Sequence, residues 1–125
     1  MIKNKKLRVL LYFFVALFVL GKLNLSAEKS MSDLAPIYAQ SPSEFMEIDG
    51  VNIHYRDEGE GEVIVLIHGT GSSLHTWNDW TEELVKTHRV IRLDLPAYGL
   101  TGADPKKRYS SLDYVNLLDT FIDQL

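Results

Sequence analysis

The chain has 125 residues, 46% of them hydrophobic, which is enough for one small domain with a core of its own. It contains no cysteine, which excludes disulfides, thiolate nucleophiles and cysteine metal sites and leaves the redox compartment open. The net charge of −4 hides an asymmetry, because residues 1–27 hold five basic residues and no acid while the rest holds all 17 acids against eight bases. A body of that sign lacks the basic surface that a phosphate backbone demands, so nucleic acid is not expected as a partner.

Lys3, Lys5, Lys6 and Arg8 precede an uninterrupted apolar run, Val9 to Leu20, followed by Gly21 and Lys22. Basic residues leading into such a run are the pattern of an export signal or a membrane anchor. A single uncleaved transmembrane anchor within residues 1–27, entering the membrane through residues 9–27, is the favoured reading, since a lysine near a helix end can snorkel. Cleavage after Ala27 is the alternative, against which Leu25 stands where a small residue is expected. The basic cluster would keep the amino terminus cytoplasmic and the body on the non-cytoplasmic side, whereas cleavage would give a secreted or periplasmic protein. Residues 28–43 are mixed polar with Pro36 and Pro42 and read as a linker or irregular strap, leaving 44–125 as the folded part.

That part opens on a hairpin: Phe45 to Ile48, then Asp49-Gly50, then Val51, Ile53 and Tyr55 alternating with Asn52, His54 and Arg56. The alternation turns His54 outward. Asp57 to Glu62 reads as a charged, glycine-broken loop without the ligand spacing of a calcium site. Val63 to Ile67 is a β-branched run too short for a helix, which predicts a strand buried on both faces of a parallel sheet. It runs directly into His68, Gly69, Thr70 and Gly71, a flexible turn whose backbone N–H groups can converge on a developing oxyanion. Thr76 with Asp79 predicts a capped helix start, and Trp77, Trp80, Leu84 and Val85 then share one helical face. His88 reads as the end of that helix. A second strand at Val90 to Leu93 ends in Asp94 and a long loop. A last helix begins near Ser110 with Asp113 at its third position, and Tyr114, Leu117, Leu118, Phe121, Ile122 and Leu125 form its apolar stripe. The fold class is α/β, a hairpin followed by β-α-β-α.

The strand ending in His68-Gly69-Thr70-Gly71, together with Asp94-Leu95-Pro96-Ala97-Tyr98-Gly99-Leu100-Thr101, resembles the α/β-hydrolase fold superfamily over residues 44–125. His68-Gly69 is similar to its oxyanion-loop motif, and Asp94, Pro96, Gly99 and Thr101 to its Asp-x-Pro-Gly-x-Gly-x-Ser/Thr loop. Ala97 departs, standing where that family usually has glycine. The resemblance implies a hydrolase acting on an ester-like or related small organic substrate through a nucleophile, an acid and a histidine in that chain order, without a cofactor or a metal. It implies that the backbone N–H of Thr70, with Gly71 as neighbour, is one oxyanion donor. The second donor follows a nucleophile on a Gly-x-Ser-x-Gly or Gly-x-Asp-x-Gly turn, and no serine here is framed that way. The nucleophile is therefore expected roughly 10 to 15 residues past Leu125, with the chain read as an inactive fragment truncated before that elbow.

The remaining candidates carry bland alternatives. His68 reads as a structural hydrogen-bonding residue beside glycines rather than a base, and Asp94 as the residue that fixes its own loop by side-chain hydrogen bonds. His75 and Trp77 are candidates to line a substrate pocket, with packing favoured for the tryptophans. Lys106, Lys107 and Arg108 read as a solvated loop. A non-catalytic, membrane-tethered binding module of the same fold is the alternative function.

Overall fold

The computed structural model describes residues 5–23 and 29–125. The chain divides into two compact units, Met1–Ser30 and Met31–Leu125. In the first, α1 spans Lys5–Leu23. No helix among the described residues is long and apolar enough to cross a membrane, and residues 24–27 of the expected anchor lie outside the described residues. The described helix falls short because Arg8 and Lys22 leave only twelve uninterrupted apolar residues between them, Val9 to Leu20. At 1.5 Å per residue that is about 18 Å, against about 30 Å of hydrocarbon. The cleavage site considered after Ala27 lies outside the described residues.

The second unit begins inside the segment read as a linker. Residues Met31–Tyr38 form a helix, α2. The two prolines and polar composition mask an i, i+4 pair, Leu34 and Tyr38, and a helix this short depends on docking such a face rather than on propensity. Next come β1 (Ser43–Ile48) and β2 (Val51–Glu58), antiparallel from Ser43↔Arg56 to Ile48↔Val51. Asp49 and Gly50 both hold positive φ, 53° and 84°, as the two-residue hairpin turn requires. The second strand runs two residues further than its alternation suggested, so Asp57 and Glu58 belong to the sheet. Asp57 there pairs with Arg89, and Glu58 with the buried Arg92.

A third strand, β3 (Glu62–Ile67), leads through a 3₁₀ turn (Leu74–Trp77) to α3 (Asn78–Leu84), β4 (His88–Leu93) and finally α4 (Ser111–Asp123). His88 thus opens a strand rather than closing a helix. The sheet order is β1-β2-β4-β3, with β2 and β4 antiparallel and β3 and β4 parallel. Within these residues β3 is an edge strand, and Val63 and Ile67 remain 49% and 43% exposed, which corrects the expectation of burial on both faces. The expected Thr76 cap is absent as well, because the chain enters α3 through the 3₁₀ turn with Trp77 in the capping position and no side-chain cap bond.

One face of the sheet carries the core: Ile48, Val51, Ile53, Tyr55, Ile91 and Leu93, closed by Phe121 of α4. Phe121 meets the Tyr55 ring edge-on at 5.3 Å. The helix that delivers it starts in a full capping box, Ser110 accepting from the Asp113 N–H and Asp113 accepting from the Ser110 N–H. Its stripe is only partly covered, since Ile122 stays 51% exposed. Trp80, on α3, is also solvent-exposed and contributes nothing to the core.

Candidate active-site edge

Because β3 and β4 run parallel with Ile67 opposite Leu93, the two segments that follow them emerge side by side at the same sheet edge. Open α/β sheets bind their ligands at this carboxyl edge. His68, buried to 4% exposure, joins the segments. Its Nε2 accepts the Leu95 N–H at 3.1 Å, and a backbone amide can only donate, so Nε2 carries no proton. The proton is therefore on Nδ1, which donates to the Gly69 carbonyl at 2.8 Å. Tyr98 closes over the ring edge-on at 5.3 Å.

That second bond has a stereochemical consequence. Carbonyl and N–H of one trans peptide point in opposite directions, so fixing the Gly69 carbonyl on His68 turns the Thr70 N–H away from it. The Thr70 N–H donates to no acceptor among the described residues, and Thr70 and Gly71 are both exposed. Gly71 continues the turn at φ 73°, a backbone conformation that side chains disfavour.

Asp94 organises the neighbouring loop and is 1% exposed. Its Oδ1 accepts the Leu74 N–H at 2.7 Å; its Oδ2 accepts the Leu100 N–H and the His54 Nδ1–H, each at 2.8 Å. Burial alone would raise the Asp94 pKa, but these donors outweigh it and hold the carboxyl below its ordinary value. Gly99 sits at φ 48° against this carboxylate, and a Cβ there would overlap it. Pro96 is buried in the same loop, its carbonyl accepting from the Tyr114 hydroxyl at 3.2 Å. Ala97 holds φ 74°, so the position where the resembled motif has glycine does demand a left-handed residue.

His54 corrects the sequence reading. It is fully buried, with Nδ1 on Asp94 and Nε2 at 2.9 Å from the Ser43 Oγ. The outward face of β2 is covered from a distance in sequence, by Asp94 on one side and the Phe45 ring at 5.0 Å on another. Ser43, His54 and Asp94 thus form a hydrogen-bonded chain of the kind that activates a serine. Here it is a brace. The Ser43 Oγ already receives the Arg56 Nε–H at 2.9 Å, and Arg56 continues to the carbonyls of Tyr38 and Gln40. No local signal announces this chain, since Asp94 lies 40 residues from His54. The basic triplet resolves similarly: Arg108 pairs with Asp104 and Asp49, while Lys106 and Lys107 stay exposed.

His75 and Trp77 lie on the 3₁₀ turn behind this loop, and the His75 Nε2 and Trp77 Nε1 are buried without a hydrogen-bond partner. The His75 pKa is lowered by burial first and by the nearby Arg56 second, so the ring is neutral near pH 7. Among the described residues no group of three or more histidine, aspartate or glutamate side chains is placed to hold a metal ion.

A family profile described as the alpha/beta hydrolase fold matches residues 62–125. A hydrolase of (E)-2-((N-methylformamido)methylene)succinate from Acinetobacter baylyi is 44% identical over 50 residues, covering 40% of this chain and 19% of the relative. The human mesoderm-specific transcript homolog protein is 28% identical over 91 residues, covering 69% of this chain and 27% of its own length. Among solved structures, the Cif epoxide hydrolase from Acinetobacter nosocomialis superposes with a TM-score of 0.66 at 29% identity, covering 82% of this chain and 36% of that one. The chain therefore spans 19% and 27% of the length of these two curated relatives.

Proposed function

Since the chain belongs to the α/β-hydrolase fold family, we propose that it supplies the oxyanion side of a hydrolase acting on an ester-like or related small organic substrate. In this reading the Thr70 N–H is one of two donors that stabilise charge developing on the substrate oxygen, and Gly71 gives the substrate close access to the backbone. The observation that carries it is the His68 bond to the Gly69 carbonyl, which leaves an unengaged N–H aimed from a rigid edge. The nucleophile, serine or aspartate, the acid and the catalytic histidine are assigned to residues outside these 125. In support, the named relatives include a hydrolase of a succinate derivative and an epoxide hydrolase. The basic cluster and apolar run at the amino terminus support export as the cellular setting, which sequencing the amino terminus of the mature protein checks.

The test is turnover of short-chain p-nitrophenyl esters and a simple aryl epoxide by the full-length protein. Thr70→Ala keeps the N–H and should retain turnover within about threefold, whereas Thr70→Pro removes it and should lower kcat about 10²–10³-fold, the effect of one oxyanion donor. Undiminished turnover in Thr70→Pro refutes the assignment. Absence of turnover on every substrate of this class favours a binding module instead.

A further inference from the structure

The loop that follows β4 returns to His68 through one side chain, Tyr98, and its placement starts in local sequence. Pro96 presets its own φ, Ala97 holds φ 74°, and the Tyr98 N–H closes back on the Leu95 carbonyl at 3.0 Å, the pattern of a type II turn over residues 95–98. Two further bonds tie the turn down. The Tyr98 carbonyl accepts the Gly102 N–H at 3.4 Å, and the Pro96 carbonyl accepts the Tyr114 hydroxyl at 3.2 Å. A backbone fixed in this way delivers the Tyr98 ring edge-on to the His68 ring, with centroids 5.3 Å apart and planes at 75°.

The same turn therefore holds His68 twice. The Leu95 N–H, at its first residue, donates to the His68 Nε2, while the Tyr98 ring packs against the imidazole itself. Rotation about χ2 is the soft motion of a histidine ring, and here a half-turn would break both the bond from Leu95 and the bond to the Gly69 carbonyl. Water that reached the ring would compete for the same two bonds. An edge-to-face aromatic pair opposes both, by its attraction and by the cover that leaves His68 4% exposed.

We propose that Tyr98 is a positioning residue of the oxyanion site: its ring clamps His68 in the orientation and tautomer that pin the Gly69 carbonyl and so turn the Thr70 N–H outward. Its effect on turnover rests on the hydrolase reading, while the clamp itself is read without substrate. The Asp94 to Thr101 loop thereby shares in setting the direction of an N–H that the other loop carries. Without the Tyr98 ring the Thr70 N–H is still present but no longer held, so the loss should be smaller than that of a missing donor. An oxyanion forms only in the transition state, so the loss should fall on kcat and not on KM.

The experiment compares Tyr98→Ala, Tyr98→Leu and Tyr98→Phe in the full-length protein, each checked for folding by circular dichroism. Long-range proton–nitrogen correlation spectroscopy, with the His68 ring assigned by its loss in His68→Gln, reads which nitrogen carries the proton. Wild type and Tyr98→Phe should show it on Nδ1 alone, whereas Tyr98→Ala and Tyr98→Leu should show both tautomers in exchange. On the p-nitrophenyl esters or the aryl epoxide, Tyr98→Ala should lower kcat about tenfold with KM changed less than about twofold, and phenylalanine at this position should restore the rate. A proton that stays on Nδ1 in both Tyr98→Ala and Tyr98→Leu overturns the proposal. So does a kcat for Tyr98→Ala within about threefold of wild type, or a loss confined to KM. A kcat lowered as much by Tyr98→Phe as by Tyr98→Ala overturns it too, and makes the hydroxyl the acting group. If wild type turns over neither substrate, the hydrolase reading alone fails, and the tautomer comparison still decides the clamp.

Discussion

Ala97 occupies a backbone conformation, φ 74°, that its own Cβ opposes, so Ala97→Gly should stabilise the domain. For a residue other than glycine, the left-handed region costs about 1–2 kcal/mol. Glycine removes that cost and adds about 0.4–1 kcal/mol of unfolded-state entropy to be lost on folding. Ala97 is exposed, so no packing is forfeited, and its N–H keeps its 2.5 Å bond to the Gly102 carbonyl. The net gain is about 0.5–1 kcal/mol. In equilibrium urea unfolding this raises the midpoint by about 0.3–0.5 M at an m-value near 2 kcal/mol/M. The same exchange within α2, Ala35→Gly, should instead lose about 1 kcal/mol, because helical φ gives glycine no advantage. Ala97→Val should also destabilise, its β-branch being poorly accommodated at positive φ. A midpoint that falls or stays fixed in Ala97→Gly refutes the reasoning, since it means the left-handed backbone carries no cost at this position.

Gly99→Ala should destabilise by about 2–4 kcal/mol, combining the left-handed cost with overpacking against the Asp94 carboxylate; a loss under about 0.5 kcal/mol in the same urea assay would contradict that geometry. Ser43→Ala should cost about 1–3 kcal/mol through the lost bonds to His54 and Arg56 and leave kcat unchanged. Loss of turnover with stability intact would instead make Ser43, His54 and Asp94 a catalytic relay. Stability should fall in two stages on acidification. His75, whose folded pKa lies below 6.5, favours protonation in the unfolded chain, so its contribution is intact above pH 6.5 and is lost as pH falls towards the folded value. Asp94, lowered from 3.8, contributes above that pH and loses its contribution as pH falls through the folded value. His75→Gln should remove the first stage and leave the second, which unfolding midpoints measured from pH 3 to 8 will show.

Local chemistry sufficed wherever the determining contacts lie within a few residues. Asp49-Gly50 fixed the hairpin because few other dipeptides tolerate two successive positive φ values, and Ser110 with Asp113 marked the start of α4 through a cap that spans one turn. The His68 to Gly71 and Asp94 to Thr101 segments were legible for the same reason, as strand ends followed by residues with special backbone requirements. Burial was less legible. A period-2 pattern states which residues share a face but not what covers it, so His54 looked solvent-facing until Asp94 and Phe45 closed over it. The reverse error occurred at β3, whose apolar run predicts two buried faces although Val63 and Ile67 are half-exposed at an edge of the sheet.

The sequence alone therefore determined the identity and order of the central elements and the two segments that follow the parallel strands, because turn propensity, capping and apolar runs act locally. Tertiary structure decided the rest: the parallel pairing that sets those segments side by side, the His68 tautomer that turns the Thr70 N–H outward, and the folding of α2 over His75. Each of these depends on groups brought together by sheet register across tens of residues, and no local propensity encodes such a meeting.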